Sequence, residues 1–173
     1  AVRALEEGLV DLAVVTTPVE PRKGLRQFPL RRVQEVAVCS PGLGLFPARP
    51  ITPRELSEYP LISLSRDTMT YGLYEEWFRV DGLPFHPDIE AATADQILPL
   101  VKNDRGIGFV PEDFTAWEAG TIRRLELTRA LPDRTICLLE QQARPLSPAA
   151  RKFRELVTTG AENGDLTFPG GLL

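Results

Sequence analysis

Hydroxyl side chains recur at the ends of apolar segments in this sequence, and they are its clearest candidates for chemistry. Thr16 and Thr17 follow the apolar run LVDLAVV, and Thr93 stands before a helical pattern. Three more follow the apolar run LISL, where another helical pattern begins: Ser65, Thr68 and Thr70. Hydroxyls and free N–H groups at helix N-termini suit a small anion, because the helix dipole is positive there. Each threonine alone is better explained as a helix cap, but their recurrence makes ligand binding an equal alternative for the set.

Other reactive residue types form no catalytic or metal-binding arrangement. No serine lies in a G-x-S-x-G motif, and the single histidine, His86, sits in the turn-like stretch PFHPD. Cys39 and Cys137 are far apart, each inside an apolar run, which favours two buried, reduced thiols over a disulfide. The sequence therefore predicts a protein that is not an enzyme and has no metal and no cofactor.

The stretch VKNDRGIGFVPEDF contains a glycine pair that raises the question of a nucleotide site. A dinucleotide-binding loop needs G-x-G-x-x-G after a strand and before a helix. Here Gly106 and Gly108 come before a predicted strand, and Pro111 replaces the third glycine. No Gly-Lys-Ser/Thr follows either, so a P-loop is excluded. We interpret the pair as a compact helix-to-strand turn, with Gly106 at the helix C′ position and Gly108 allowing a close backbone approach.

Composition and charge indicate a soluble globular protein that does not bind nucleic acid by itself. The 173 residues carry a formal net charge of −4, and the densest basic stretch lies within residues 22–32. A nucleic-acid-binding domain usually has a stronger positive balance. No apolar run reaches the roughly 18–20 residues that cross a bilayer, and the opening AVRALEEG is not a signal segment. The predicted localisation is cytoplasmic, with no membrane contact.

The elements that would position the hydroxyls alternate between strands and helices, which is typical of an α/β fold with a mostly parallel sheet, or two such sheets. Pro29 should place its strand at an edge or break it, and Pro99 should kink or shorten its helix. Capping signals predict helix starts at Thr52, Thr93 and Ser147. Strands are predicted at 9–15, 25–40, 59–64, 87–92, 107–110, 122–127 and 135–141, and helices at 1–7, 65–82, 93–103, 112–119 and from 148, with fraying from 159.

The order of these segments resembles the effector-binding domain of LysR-type bacterial transcriptional regulators. The stretches that carry the resemblance are LEEGLVDLAVV, ITPREL, YPLISLSRDT, EAATADQILPLVKNDRGIGFVPE and LSPAARKFRELV, with the Trp77-Phe78 helix between them. They occur in the family's order over about residues 3–157. No single motif is specific, but the ordered set with its spacing is. The connector GLGLFPARP departs from the family by lacking its usual His-Pro-Leu.

The resemblance implies two Rossmann-like lobes joined by two crossover strands, like type 2 periplasmic binding proteins. Lobe I would comprise residues 1–40 and 137–173, and lobe II residues 41–136. Lobe I would be incomplete, lacking its first strand and helix, and the family's DNA-binding winged helix-turn-helix would also lie outside this sequence.

The resemblance also implies a function: sensing of a small effector that binds between the lobes. Carried over by position, the effector-binding residues would be Thr16, Thr17, Ser65, Thr68, Thr70 and Thr93, and the effector could be an organic anion. The full-length regulator would bind promoter DNA through its separate domain, as a homodimer or homotetramer. Two alternatives use the same scaffold: a solute-binding protein of a transport system, and an enzyme, which the lack of a catalytic set disfavours.

Overall fold

The structure, a computed structural model, describes residues 1–19, 22–44, 49–116 and 120–164. Within these ranges the chain forms two compact units. Unit 1 comprises Ala1–Val33 together with the described chain from Arg134 onward, and unit 2 comprises Gln34–Asp133. The boundaries drawn from sequence, at 40/41 and 136/137, lie a few residues further along the chain, and the assignment of these units as functional lobes remains a proposal.

Unit 1 is a small sheet with a helix at each end of its sequence. Helix α1 (Val2–Glu6) has its C-cap at Glu7 and is followed by Gly8, whose φ of 71° places it in the left-handed region, as predicted for a C′ glycine. Strands β1 (Leu12–Thr16), β7 (Asp133–Gln141) and β2 (Leu25–Cys39) lie in the order β1-β7-β2, and helix α5 (Pro148–Glu162) follows. Strands β2 and β7 also contribute residues to unit 2.

Two predictions for unit 1 need correction. Strand β1 begins at Leu12 rather than Leu9, because the turn after α1 continues: Leu9 N–H donates to the Ala4 carbonyl, and Leu9 is 74% exposed. The expected parallel pairing is also wrong here, since β1 pairs with β7 antiparallel, Leu12 opposite Glu140. Pro29 does not break β2, which is continuous from Leu25 to Cys39; the pairing of β2 with β5 and β6 involves only residues 35–39, so Pro29 lies outside it.

Unit 2 contains the parallel pairing that the sequence predicted. Strand β3 (Leu61–Leu64) pairs in parallel with β4 (Ile89–Ala91) and with β5 (Ile107–Pro111). The antiparallel neighbours are supplied by β2, which pairs with β5 and with β6 (Arg123–Leu125). The parallel geometry therefore holds around β3, where helices connect successive strands, and fails at the long strand that connects the units.

An aromatic core fixes helix α3 (Met69–Arg79) against this sheet. The rings of Tyr74 and Phe109 lie 4.9 Å apart, and Phe78 stacks on Phe85 at 5.1 Å. Tyr74 and Phe78 lie one turn apart on the face that the sequence predicted to be buried, although Leu73, also placed on that face, is only half-buried. The hydroxyl of Tyr74 donates to the buried carboxylate of Glu35 at 2.5 Å.

Two of the three predicted helix starts are confirmed. Thr52 and Glu55 form a reciprocal capping box at α2 (Pro53–Leu56), and the Ser147 hydroxyl accepts from Ala150 N–H at 3.2 Å at α5. Helix α5 continues to Glu162, so the predicted start of fraying at Thr159 is wrong, and the part of that tail from residue 165 lies outside the described ranges. Thr93 makes no side-chain capping bond: the residues after it form a short 3₁₀ turn, and α4 begins only at Ile97.

Two predicted helices of unit 2, the one that contains Pro99 and the one after Pro111, are shorter than predicted. Helix α4 (Ile97–Lys102) holds Pro99 in its first turn, where the missing N–H has no helical partner to lose. The structure shortens the predicted helix accordingly. The helix predicted at 112–119 is a 3₁₀ turn over Glu112–Thr115, and its last residues lie outside the described ranges.

The glycine pair of VKNDRGIGFVPEDF is structural, but its details differ from the prediction. The left-handed residue after α4 is Asp104, with φ 59°, rather than Gly106. A side chain at Gly106 would collide with the carbonyl of Pro60, so the residue is required for space. At Gly108 a Cβ would lie 2.6 Å from the Ile97 and Val101 methyls. The close approach is thus made by the side chains of α4, not by backbone.

Both cysteines are free and buried, as predicted. Burial raises the pKa of the Cys39 thiol, with the charge of Arg123 opposing the shift. Burial likewise raises the pKa of Cys137, against the effect of a hydrogen bond from Gln27. In the described ranges every helix is too short or too polar to cross a lipid bilayer.

Candidate functional site

The loop between β3 and α3 carries three of the six predicted effector-binding residues. Ser65 directly follows β3, and both its N–H and its hydroxyl donate to the Ala91 carbonyl, at 3.1 and 3.2 Å. Thr68 is the N-cap of α3: its hydroxyl accepts from Tyr71 N–H at 3.1 Å and donates to the Ser65 carbonyl at 2.8 Å. The Thr68 hydroxyl is thus engaged in holding the loop, whereas Ser65 retains acceptor capacity.

Thr70 occupies the first turn of α3 and is 8% exposed. It lies one turn before Tyr74, on the face of the helix that packs against the aromatic core. The first turn of a helix presents backbone N–H groups towards its amino end. The core therefore holds the amino end of α3 in a defined position beside Ser65.

Thr93 lies beside this loop because β3 and β4 are parallel neighbours. The register pairs Leu64 with Ala91, so the two strands end at the same edge of the sheet. The bonds from Ser65 to Ala91 join the two following loops directly. Thr93 is exposed and has no capping bond, and Gln96, its predicted capping-box partner, accepts from Ala92 N–H at 3.0 Å. The structure thus brings Ser65, Thr68, Thr70 and Thr93 to one region of unit 2.

An ion pair at the same edge was missed by the sequence reasoning. Arg66 follows Ser65, and its backbone N–H and its Nε both donate to Glu90, at 3.2 and 2.9 Å. This interaction is the main cause that raises the pKa of the Arg66 guanidinium above its usual value. Arg66 was visible as the cation in LISLSRDT, but its partner is revealed only by the β3–β4 register, which pairs Ser63 with Glu90.

Thr16 and Thr17 lie in unit 1, and their hydroxyls are engaged in its sheet. The Thr16 hydroxyl accepts from the Arg134 guanidinium at 3.0 Å. The Thr17 hydroxyl accepts from Thr135 N–H at 2.8 Å, while Thr17 N–H donates to the Thr135 carbonyl at 2.9 Å. Thr16 is the last residue in the register of β1 with β7, and Thr17 extends the pairing by its two bonds to Thr135. Each hydroxyl retains an O–H that could donate to a further acceptor.

The chemistry available at the edge of β3 and β4 is recognition of a small polar molecule. Hydroxyls, the backbone N–H groups of a helix N-terminus and a guanidinium are hydrogen-bond donors that suit oxygen acceptors. Within the described parts of the chain, no three or more His, Cys, Asp and Glu side chains are grouped so that they could hold a metal ion.

Comparison with known proteins identifies the family. The sequence profile of the LysR substrate binding domain matches residues 1–162, almost the whole chain. The chain belongs to the LysR substrate-binding domain family. No curated protein matches its sequence closely enough to add to this. As a LysR substrate-binding domain, the chain is the effector-sensing part of a LysR-type transcriptional regulator, as the sequence predicted, and the transport-linked alternative is not favoured.

Solved LysR-type domains share the fold. The regulatory domain of CcmR from Synechocystis PCC6803, in complex with 2-PG, matches with a TM-score of 0.81 at 15% identity, over 93% of this chain and 78% of that chain. The effector-binding domain of QuiR with shikimate gives 0.81 at 20% identity, over 95% and 78%. The reduced form of OxyR from N. meningitidis gives 0.72 at 16% identity, over 96% and 78%. These similarities confirm the α/β fold of type 2 periplasmic binding proteins.

Proposed function

We propose that this LysR substrate-binding domain senses a small organic anion, and that unit 2 binds it at the shared edge of β3 and β4. The observation that carries the proposal is the parallel pairing of these strands, which brings the Ser65–Thr70 loop beside Thr93. In open parallel sheets, ligands bind beyond the carboxyl ends of the strands. Here those ends meet hydroxyls, the N-terminus of helix α3 and a cation, and all of these favour negative charge.

Two of the structurally similar domains support an anionic effector. The CcmR regulatory domain was solved with 2-PG and the QuiR effector-binding domain with shikimate, which carries a carboxylate. Both proteins have the same fold as this chain at low sequence identity. A carboxylate or a similar oxyanion is therefore the effector chemistry that we expect, while the identity of the molecule follows from neither relative.

The six candidate residues have different proposed roles. Thr93 donates to the effector anion, because its hydroxyl is exposed without a capping bond; Ser65, whose O–H already donates to the Ala91 carbonyl, accepts from a hydroxyl group of the effector. Thr68 and Thr70 hold the start of α3 in place, since one caps it and the other is buried. Thr16 and Thr17 complete the proposed set through their remaining O–H donors, and they are its less favoured members because each already accepts a bond.

The same proposal extends to the full-length regulator. Its role is regulatory and not catalytic, and promoter DNA is bound by a separate N-terminal domain. The working form is a homodimer or homotetramer in the cytoplasm, where its DNA target lies. Light scattering of the full-length protein tests the assembly, and a monodisperse monomer on its promoter DNA would contradict it.

Calorimetry with a panel of small organic acids tests the site on the full-length protein. The panel includes shikimate and 2-PG, with Thr93→Val and Thr16→Val as variants of similar volume. We expect Thr93→Val to weaken binding of the tightest acid by about fivefold to tenfold, the loss of one hydrogen bond. Binding that neither variant changes would contradict the site assignment, and a panel in which no acid binds would contradict the effector class.

A further inference from the structure

Arg66 presents an uncommitted part of its guanidinium at the proposed effector edge. Its bonds to the described residues use the backbone N–H and Nε, and both go to Glu90. Neither Nη group has a hydrogen-bond partner among those residues, and the side chain is 63% exposed. The pair of Nη groups is one of the two edges through which an arginine binds a carboxylate with two parallel bonds.

The guanidinium is also held in place from two sides. Its central carbon lies 6.0 Å from the centroid of the Tyr71 ring, at the outer limit of a cation–π contact. Tyr71 is itself fixed, because its ring is buried and its hydroxyl donates to the Phe85 carbonyl at 3.0 Å. Glu90 supplies the second restraint from the neighbouring strand. A side chain that is oriented before binding loses less conformational entropy when the ligand arrives.

Glu90 has a further effect, which opposes the first. Its carboxylate accepts from Nε and so directs the Nη groups away from itself, but its negative charge also lies close to any anion that Arg66 binds. Orientation and repulsion can be separated experimentally, because a glutamine at position 90 keeps an acceptor oxygen without the charge. An alanine there removes both.

We propose that Arg66 selects a carboxylate or similar oxyanion over a neutral effector, and that Glu90 is the positioning residue that orients its guanidinium. This inference rests on the proposed function of the β3–β4 edge and names the residue that decides its specificity. The proposal depends on the charge and geometry of the arginine side chain, whereas the hydroxyls and helix N–H groups beside it could also bind a neutral polar molecule.

The experiment measures discrimination between acids and their neutral analogues in the full-length protein. Each acid of the panel is paired with its primary amide, or for 2-PG with a neutral ester, and the two dissociation constants are compared. Arg66→Gln should weaken acid binding by about tenfold to a hundredfold, the loss of charge-assisted bonds, and leave the neutral analogue within about twofold. The ratio of the two constants should therefore fall towards one.

A matched control is available at the carboxyl end of α3, the helix that follows the loop containing Arg66. Arg79 ends α3, is 71% exposed and pairs with Glu76 through its Nε at 2.7 Å. Arg79→Gln removes the same charge from the same kind of ion pair, and it should leave the discrimination unchanged. An equal loss in both variants would show that net charge alone attracts the acid, and would overturn the assignment to Arg66.

The remaining outcomes separate the inference from the function on which it rests. If the wild type binds acids and Arg66→Gln binds them as tightly, the inference is wrong and the effector site stands. If the wild type binds amides as tightly as acids, the charge selection is wrong. If nothing in the panel binds, both proposals fail. For Glu90, the Gln variant should discriminate better than the Ala variant, and equal discrimination would contradict its positioning role.

Discussion

Threonine side chains follow a strand in both units, but the two units use them differently. In unit 1, Thr16 and Thr17 end a strand that runs antiparallel to β7, and both hydroxyls accept bonds from residues at the start of β7. In unit 2, Thr93 follows a strand that runs parallel to its neighbour, and its hydroxyl is exposed without a capping bond.

For these three threonines, the availability of the hydroxyl differs together with the strand direction. An antiparallel partner passes beside the end of the strand, so its backbone is within reach of the last side chains. Parallel partners end together and continue into helices, so their last side chains border a shared edge and helix N-termini. The residue type alone predicts the same role in both places, and the pairing assigns different ones.

The largest expected effect concerns packing, and it compares a buried aromatic ring of unit 2 with an exposed helix residue of unit 1. Phe109→Ala removes a buried ring that contacts the rings of Tyr74 and Phe78, and we expect it to lower the free energy of unfolding by about 3–5 kcal/mol. Leu156→Ala on α5 of unit 1 truncates a side chain that is 61% exposed, and should change it by less than about 0.5 kcal/mol. Denaturant titration measures both, and similar values would contradict the contrast.

A smaller change in the free energy of unfolding is expected when the threonines of the two units are themselves replaced. Thr17→Val removes the hydroxyl that accepts from Thr135 N–H, and should cost about 0.5–1.5 kcal/mol of unfolding free energy. Thr93→Val removes an exposed hydroxyl with no capping bond, and should change stability by less than about 0.5 kcal/mol. The same titration checks the pair. A greater loss for Thr93→Val would mean that its hydroxyl is structural.

The smallest effect concerns Thr52, a unit 2 threonine whose hydroxyl is committed to a capping box. Arg49 and, after it, the Thr52 backbone lower the pKa of Glu55 to about 2. Because this folded-state value lies below the ordinary 4.5, the stabilisation is present above about pH 4.5 and is lost as the pH falls towards 2. The stability difference between wild type and Glu55→Gln should shrink over that window in pH-dependent thermal unfolding.

Arg49→Gln provides the control for this prediction, since the hydrogen bond from Arg49 is the largest cause of the shift. In that background the pKa of Glu55 should rise towards its ordinary value, and the acid-dependent difference should become smaller. A difference that stays constant from neutral pH to pH 2 would contradict the assigned cause.

Local signals in the sequence predicted much of the fold. The capping box at Thr52, the Ser147-Pro148 start of α5 and the C′ glycine at Gly8 each depend on a few neighbouring residues, and all three are confirmed. Short stretches that occur in the family's order along the chain also led to the correct family.

Features that depend on pairing between distant segments could not be predicted in the same way. The antiparallel direction of β1 with β7 joins residues more than a hundred positions apart, and nothing near Thr16 encodes it. The Arg66–Glu90 contact requires the register of β3 with β4. Thr93 has the spacing of a capping box, but the 3₁₀ turn that follows directs Gln96 to Ala92 instead.

The central claim is that an effector anion binds at the β3–β4 edge of unit 2, and amide NMR tests it most directly. The isotope-labelled domain is titrated with the organic acid that the calorimetric panel shows to bind most tightly. We predict that the largest shifts occur at the amides of residues 65–70 and 92–94, and that Thr93→Val reduces them. Saturable binding with no shifts in these two loops, and with changes confined to other parts of the chain, would contradict the account.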